Sequence, residues 1–367
     1  MSFALPANVA APHRSATRPW RLVRYEGVEL DRRLARATSD ELAPPHPAQS
    51  LKWLRILQRG LGHHPVLIEA LEGDRSAGWL PLARVESWLF GRMLVSLPYV
   101  NLAGLHVAPD AGAAASAALV EEAVQLAKAW DVRYLELRQS QPTEHPALAE
   151  TNTAKVRMVR KLPATPEALW DSFKSKLRSQ IKSGQKRGLE VVWGGSTLLD
   201  EFYAIFARNM RDLGTPVYPR RLFAAILDEL AGDAELCVVR GQGRALAAGL
   251  LVHGRGISEV PSASSLREYN HTSANMVLYW NLLARAVERG QHTFDFGRSS
   301  VGSSTYRFKE QWGAVPEPSV WQYHVRRGSC HDLRPDQPRY GLAIRLWRKL
   351  PVWLTRWLGP VIVRGIP

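Results

Sequence analysis

Residues 294–313 read FDFGRSSVGSSTYRFKEQWG, the densest chemical text in the chain. Asp295 sits between Phe294 and Phe296, Arg298 follows, a Ser/Gly-rich turn runs from Ser299 to Thr305, and Lys309 stands among aromatics ahead of Trp312-Gly313. Such residues can hold a metal, cradle a phosphate or move a proton. A kinase-type DFG needs a Gly-rich loop, a strand lysine and an H-R-D loop upstream; no H-R-D precedes Phe294. On a strand, alternation turns Asp295 away from both phenyl rings, either toward a cleft or merely into a pair with Arg298. No Gly-x-Ser-x-Gly elbow and no ordered Ser/His/Asp set is visible, so covalent catalysis is not expected.

The elements that must position these residues come in two copies. SANMVLYWNLLARAVERG (273–290) has apolar residues at helical spacing, with Ser273 as N-cap and Gly290 as stop, and the strand HTFDFG follows. Earlier, AALVEEAVQLAKAWDVRYLELRQS (117–140) repeats the pattern. Its LELRQS matches FDFGRS in character, placing Glu136 on Asp295, Gln139 on Arg298 and Ser140 on Ser299. A strand–turn–strand precedes each copy, at 65–85 and 236–254. The GQG at 241–243 therefore reads as a hairpin turn, not a nucleotide fingerprint. Two copies of one α/β unit account for the pattern.

Between the copies, residues 162–191 predict a helix with Trp170, Phe173, Leu177 and Ile181 on one stripe. Lys174, Arg178, Lys182 and Lys186 step by four beside it. A solvated face would mix in acids; residues 172–189 hold six Lys/Arg and none, so an anion-binding ridge is expected. Residues 337–367 also hold six and none, so these segments carry +12 of the net +14 and the body is nearly neutral. The charge is placed for particular anionic partners.

A chain of 367 residues, 46% hydrophobic, suffices for two domains or one duplicated one. Its two cysteines, Cys237 and Cys330, exclude a disulfide framework and a four-thiolate zinc site and point to a reducing compartment; Cys330-His331-Asp332 reads as surface loop, and no metal is expected. The first twenty residues lack a signal's apolar core and read as a disordered start, and no run of about 18 apolar residues exists to span a membrane.

In this order and spacing, several segments resemble the Fem-type aminoacyl- and peptidyltransferases, in particular the branch found with exosortase and exopolysaccharide gene sets. They are SLPYVNLAGL (96–105), K-x-R-x-x-I-K-x-x-x-x-x-G-L (176–189), DLGTPVYPRRLF (212–223), SANMVLYW (273–280) and the FDFGRS…YRFKEQWG passage, across roughly residues 50–325. The long coiled-coil arm of some members is missing. The resemblance implies an α/β (α+β) fold of two tandem GNAT-like lobes with mixed sheets, which agrees with the repeat. The expected division is a disordered 1–20, a first lobe 21–160, the basic helix plus second lobe 161–330, and a basic Trp-rich tail 331–367.

The implied activity is transfer of an acyl or aminoacyl group to an amine of a cell-envelope or exopolysaccharide precursor. No cofactor is held tightly; the donor is aminoacyl-tRNA or acyl-CoA. Such transfer needs a deprotonated nucleophile, a stabilised oxyanion and a hold on a phosphorylated carrier. Asp295 would orient or deprotonate the amine, with Arg298 and Lys309 as the other catalytic candidates; Lys309 would neutralise the carrier phosphate or the oxyanion. Ser299 and Tyr306 flank a turn whose N–H groups suit an anion nest. Asn270 and Asn275 flank a helix N-terminus, which favours phosphate, and Tyr99 and Asn101 lie in the first-lobe loop that the family places near substrate.

The tail combines Trp347, Trp353 and Trp357 with Arg345, Arg348, Lys349, Arg356 and Arg364, as interfacial segments do. Pro351 and Pro360 argue against one long helix; docking on the body is the competing expectation. The partners expected are a lipid- or nucleotide-linked envelope precursor, charged tRNA and an anionic membrane, with no DNA, and the place is the cytoplasmic face of the plasma membrane. Two rival readings are an acyl-CoA-dependent N-acetyltransferase of a sugar or small amine, and a non-catalytic scaffold of an envelope export assembly.

Overall fold

The computed structural model describes residues 20–88, 90–329 and 341–367. The first nineteen residues and the Cys330-His331-Asp332 cluster lie outside the described residues.

Eight strands form the first sheet: β1 (Arg21–Tyr25), β2 (His64–Glu72), β3 (Arg75–Ser87), β4 (Gly91–Val95), β5 (His106–Val107), β6 (Tyr134–Gln139), β7 (Glu150–Asn152) and the late strand β15 (Val320–Val325). The second holds β8 (Lys155–Lys161), β9 (Glu190–Gly194), β10 (Ala234–Gly241), β11 (Arg244–His253), β12 (Ile257–Ser265), β13 (Thr293–Ser300) and β14 (Val315–Pro318). The first sheet runs β1-β2-β3-β4-β6-β15-β7, with β5 on β3; the second runs β14-β8-β13-β12-β11-β10-β9.

The duplication is visible in the connections. In the first sheet the helix Gly112–Ala129 carries the chain from β4 to a parallel partner, β6. In the second, the helix Ala274–Glu288 does the same between β12 and β13. Parallel neighbours require such a crossover. Each helix buries one stripe on its sheet: Leu119, Val120, Ala123 and Val124 in one, Val277, Leu278, Leu282 and Val287 in the other. The β10–β11 turn has left-handed φ at Gln242 (51°) and Gly243 (72°), as a tight hairpin turn requires. GQG is a turn.

One apolar cluster joins the lobes. It takes Leu67 and Ala83 from the first sheet, Leu236, Val238, Leu250 and Val252 from the second, and the helices Lys52–Leu61, Leu199–Leu213 and Arg220–Glu229 between them. Close helix contact there depends on Gly60: a Cβ would stand 2.8 Å from the Leu222 Cα.

Two strands depart from the linear division expected at 160 and 330. Lys155–Lys161 is a strand of the second sheet, and Val320–Val325 returns to the first, so the chain passes between lobes more than once. The single helix expected after residue 162 is two, Pro166–Asp171 and Ser175–Gln185. Lys174 is the N-cap residue of the latter and Lys186 its C-cap.

Beyond residue 340, the helices Gly341–Trp347 and Val352–Val363 lie against the body. Arg211 Nη1 donates to Leu350 O at 2.8 Å and Arg348 Nη2 to Leu213 O at 3.1 Å, while Gly359 lets the helix close on Val217. Among the described residues no helix is long and apolar enough to cross a membrane.

Candidate active site at the second-lobe fork

β12 and β13 pair in parallel over three rungs, Ile257–Thr293, Ser258–Phe294 and Glu259–Asp295, and then part. Both strands bulge just beyond that point. Between Glu259 and Ser262, β12 has one residue more than β11 opposite it; between Asp295 and Arg298, β13 has one more than β8. Gly297, at φ 75°, takes the left-handed position in the second bulge. Bulges re-aim side chains at sites of this kind.

Phe294 and Phe296 enter the core under the helix Ala274–Glu288, and Asp295 projects to the opposite face, toward the first lobe. There Asp295 Oδ2 accepts from His46 Nε2 at 3.0 Å and lies 3.5 Å from Arg157 Nε, and Oδ1 accepts from Gly297 N–H at 2.7 Å. Ala48 N–H donates to His46 Nδ1, which leaves Nε2 as the donor to Asp295. Pro44 O holds this segment on the second lobe by accepting from Arg255 N–H.

Burial alone would raise Asp295, but the His46 hydrogen bond, Arg157 and the Gly297 N–H hold it below the ordinary carboxylate range. Glu259 is pushed the other way. Burial is the main cause, the charge of Asp295 adds to it, and its pKa rises to about 7 against the pull of Arg157 and Lys309. Two neighbouring carboxylates with divided pKa values are the elements of acid–base chemistry. Lys309 is buried on the helix Ser304–Gln311; its Nζ donates to Gly297 O at 3.1 Å and Arg298 O at 3.0 Å, which braces the bulge. Burial lowers its pKa to about 8, opposed by Asp295 and Glu259.

Of the other candidates, Tyr99 and Asn101 reach this fork. Tyr99 Oη lies 3.2 Å from Ser262 Oγ, and Asn101 Nδ2 would be 3.8 Å from a Cβ at Gly297. Tyr99 and Leu97 hold left-handed φ of 78° and 58°, a strained loop of the sort found at functional sites. Arg298 does not pair with Asp295; it lies over the Trp321 ring. Ser299 is buried with no partner for its Oγ. The turn after it ends in a helix capped by Ser303, whose Oγ accepts Tyr306 N–H, and Tyr306 packs on the second-lobe core.

Asn270 and Asn275 line a depression of about 310 Å³ with Gln180, Tyr269 and Ser273. Ser273 is the N-cap residue but makes no capping bond; Thr272 Oγ1 takes the Ala274 N–H. The basic helix packs beside it, with Gly184 against Ser273 and Val277. Arg178, Lys182 and Lys186 line a shallow hollow with Ser175, Ser179 and Ser183, while Lys174 is exposed beside it. Arg178 also lies 3.8 Å from Asp171, and Lys182 sits over the Trp170 ring.

The first-lobe fork is built differently. Glu136 occupies the place of Asp295, but Arg138 Nε binds it at 2.6 Å, and Arg138 Nη1 donates to Val100 O at 2.8 Å. The loop after β4 closes over this fork, with Ser96 N–H on Glu136 O. Its acid is neutralised. Four residues that the motif reading missed, Glu259, His46, Arg157 and Ser262, lie at the second fork.

Residues 171–310 match the family described as an acetyltransferase (GNAT) domain. The fold is a tandem GNAT pair. The matched residues fall within the second lobe. A crystal structure of FemX superposes with a TM-score of 0.62 at 16% identity, covering 88% of this chain and 100% of that one. A tandem GNAT protein from the clavulanic acid biosynthesis pathway gives 0.54 at 14%, covering 84% and 100%. The C-terminal domain of a putative lysylphosphatidylglycerol synthetase from Agrobacterium fabrum gives 0.53 at 13%, covering 82% and 93%. No curated protein matches the tandem by sequence.

Proposed function

We propose that this tandem GNAT protein transfers an acyl or aminoacyl group to an amine of a cell-envelope or exopolysaccharide precursor, with Glu259 as the base. The observation that carries the reading is the divided carboxylate pair at the fork, Glu259 held up to about 7 and Asp295 held down. The amine nitrogen attacks the acyl carbonyl carbon, Glu259 takes the proton that nitrogen sheds, and the bond from carbonyl carbon to the carrier breaks. The carrier leaves as a thiolate from acyl-CoA or as a ribose alkoxide from tRNA, and takes up the proton that Glu259 accepted. Asp295, tied to His46 and Arg157, keeps its charge and so holds the proton affinity of Glu259 near neutrality.

The donor's phosphates would lie at the depression by Asn270 and Asn275, with the basic helix beside it. That combination suits either donor. The exopolysaccharide-associated branch is part of this reading and rests on the sequence resemblance. Residence at the inner membrane face is supported by the tail, which leaves Leu342, Leu346, Trp353, Trp357 and Val361 exposed among its cations.

The acyl-CoA-dependent N-acetyltransferase reading is favoured by one observation, the acetyltransferase match across the second lobe. Purified protein offered labelled acetyl-CoA and charged tRNA in parallel, with an amine-bearing nucleotide-linked acceptor, separates the two. Transfer from one donor, lost in Glu259→Gln, is expected. No transfer from either leaves the scaffold reading.

A further inference from the structure

The transfer chemistry makes no use of a stack formed by Arg138, Trp321 and Arg298. Arg138 on β6 stands across from Trp321 on β15, and Arg298 comes from β13 of the other sheet. The two guanidinium carbons lie 4.0 and 3.4 Å from the indole ring centroid. One cation from each lobe is therefore packed on a single indole.

The stack is short of negative charge. Arg138 is 2% exposed, and the carboxylate it binds is Glu136. Burial, and then the like charge of Arg138, lower the Arg298 pKa to about 9. Arg138 Nη2, Arg298 Nε and Trp321 Nε1 are buried donors without a partner. Buried polar groups are normally satisfied, and a surplus of donors around paired guanidiniums is what oxyanion recognition requires.

We propose that Arg138, Arg298 and Trp321 form an anion site bridging the two lobes, which takes a phosphate-type oxyanion. A ligand held by a guanidinium from each lobe ties the lobes together at the fork that Tyr99 and Asn101 also reach. The oxyanion belongs either to a nucleotide-linked acceptor or to the donor. The site is defined by binding and stands whether or not the transfer reading does.

The test is thermal unfolding of the full chain with inorganic pyrophosphate at constant ionic strength. At tenfold excess over Kd, wild type should rise by about 2 °C, and Arg298→Met should lose that rise. Without anions Arg298→Met should melt no lower than wild type, because it relieves a crowded buried charge; a merely structural arginine would leave a less stable protein. Trp321→Phe keeps the ring, loses the indole N–H and should show a reduced rise. Lys182→Gln with Lys186→Gln should keep the part of the rise that Arg298→Met loses, which separates this site from the basic helix. Uridine diphosphate and coenzyme A, each read as the rise that Arg298→Met loses, then identify the source: such a rise with the former assigns the acceptor, with the latter the donor. An equal pyrophosphate rise in Arg298→Met, or a lower melting temperature for that variant in anion-free buffer, overturns the proposal.

Discussion

Glu259 and Asp295 share the last rung before β12 and β13 separate, and their surroundings push the two carboxylates in opposite directions. Asp295 has an imidazole N–H, a guanidinium and a backbone N–H to stabilise its charge. Glu259 has burial and a negative neighbour. Near neutrality the one proton the pair retains therefore rests on Glu259.

The first consequence is a pH profile. A base must be unprotonated, so the transfer rate should rise with pH through about 7, where Glu259 titrates. Glu259→Gln should cost roughly 10²–10⁴-fold in rate and abolish that limb. A variant with the full limb intact would place the base elsewhere.

Stability should respond in the opposite sense. The folded pKa of Glu259 lies above the ordinary 4.5, so between about 4.5 and 7 the native state holds more protons than the unfolded one. Its contribution is present at the acid end and fades as pH rises toward 7. Glu259→Gln removes this slope, so its melting temperature relative to wild type should improve on going from pH 5 to pH 8. A constant difference across that range would show that Glu259 is not held protonated.

His46 binds a partner 249 residues away in sequence, and in the proposed reaction it is a positioning residue. Removing it with Ala takes a hydrogen bond from a buried charge, at a cost of about 2 kcal/mol, and lets Asp295 rise. The midpoint of the rate profile should move with it. His46→Gln, which keeps an N–H donor on Asp295, should restore the midpoint more than the rate. An unmoved midpoint in His46→Ala would limit the residue to holding its loop.

The repeat was legible because both copies bury the same helix stripe and place an acid on the same strand position, Glu136 and Asp295. The fork was not. Glu259 lies in ISEVPSASS, where Pro261 and four serines disguise a central strand, and His46 lies in a proline-rich stretch that reads as loop. The roles of these residues come from a register and a long-range contact, which no local pattern encodes. The strand exchange of β8 and β15 was hidden for the same reason: each follows its neighbour closely in sequence but pairs in the other sheet.

Lys309 and Trp312 should now separate differently than their motif suggests. Lys309 Nζ is occupied by two carbonyls, so Lys309→Met should lower stability as well as turnover. Trp312 is fully buried against Phe173, Tyr279 and Phe308. Trp312→Ala should cost about 3–5 kcal/mol, with the folded fraction retaining its rate. Denaturant melts combined with rates corrected for folded fraction distinguish the two. A Lys309→Met protein as stable as wild type would return that lysine to substrate binding.

The tail both docks and displays. Thr355, Gly359 and Val363 face inward, and Arg364 Nη2 donates to Gly62 O at 3.2 Å. Trp353 and Trp357 are 69% and 70% exposed. Deleting residues 341–367 should therefore lower the melting temperature and also release the protein from anionic vesicles, so truncation alone cannot separate the roles. Point substitutions can. Trp353→Glu with Trp357→Glu changes exposed side chains, should leave the melting temperature unchanged, and should weaken binding to vesicles rich in anionic lipid. Each nearby cation adds about 1 kcal/mol at such a surface, so raising salt should weaken wild-type binding further. Transfer to a soluble, lipid-free acceptor should persist in the double variant, since the fork lies on β12 and β13. Unchanged vesicle binding with both tryptophans replaced would leave the tail a structural brace and take the membrane out of the reading.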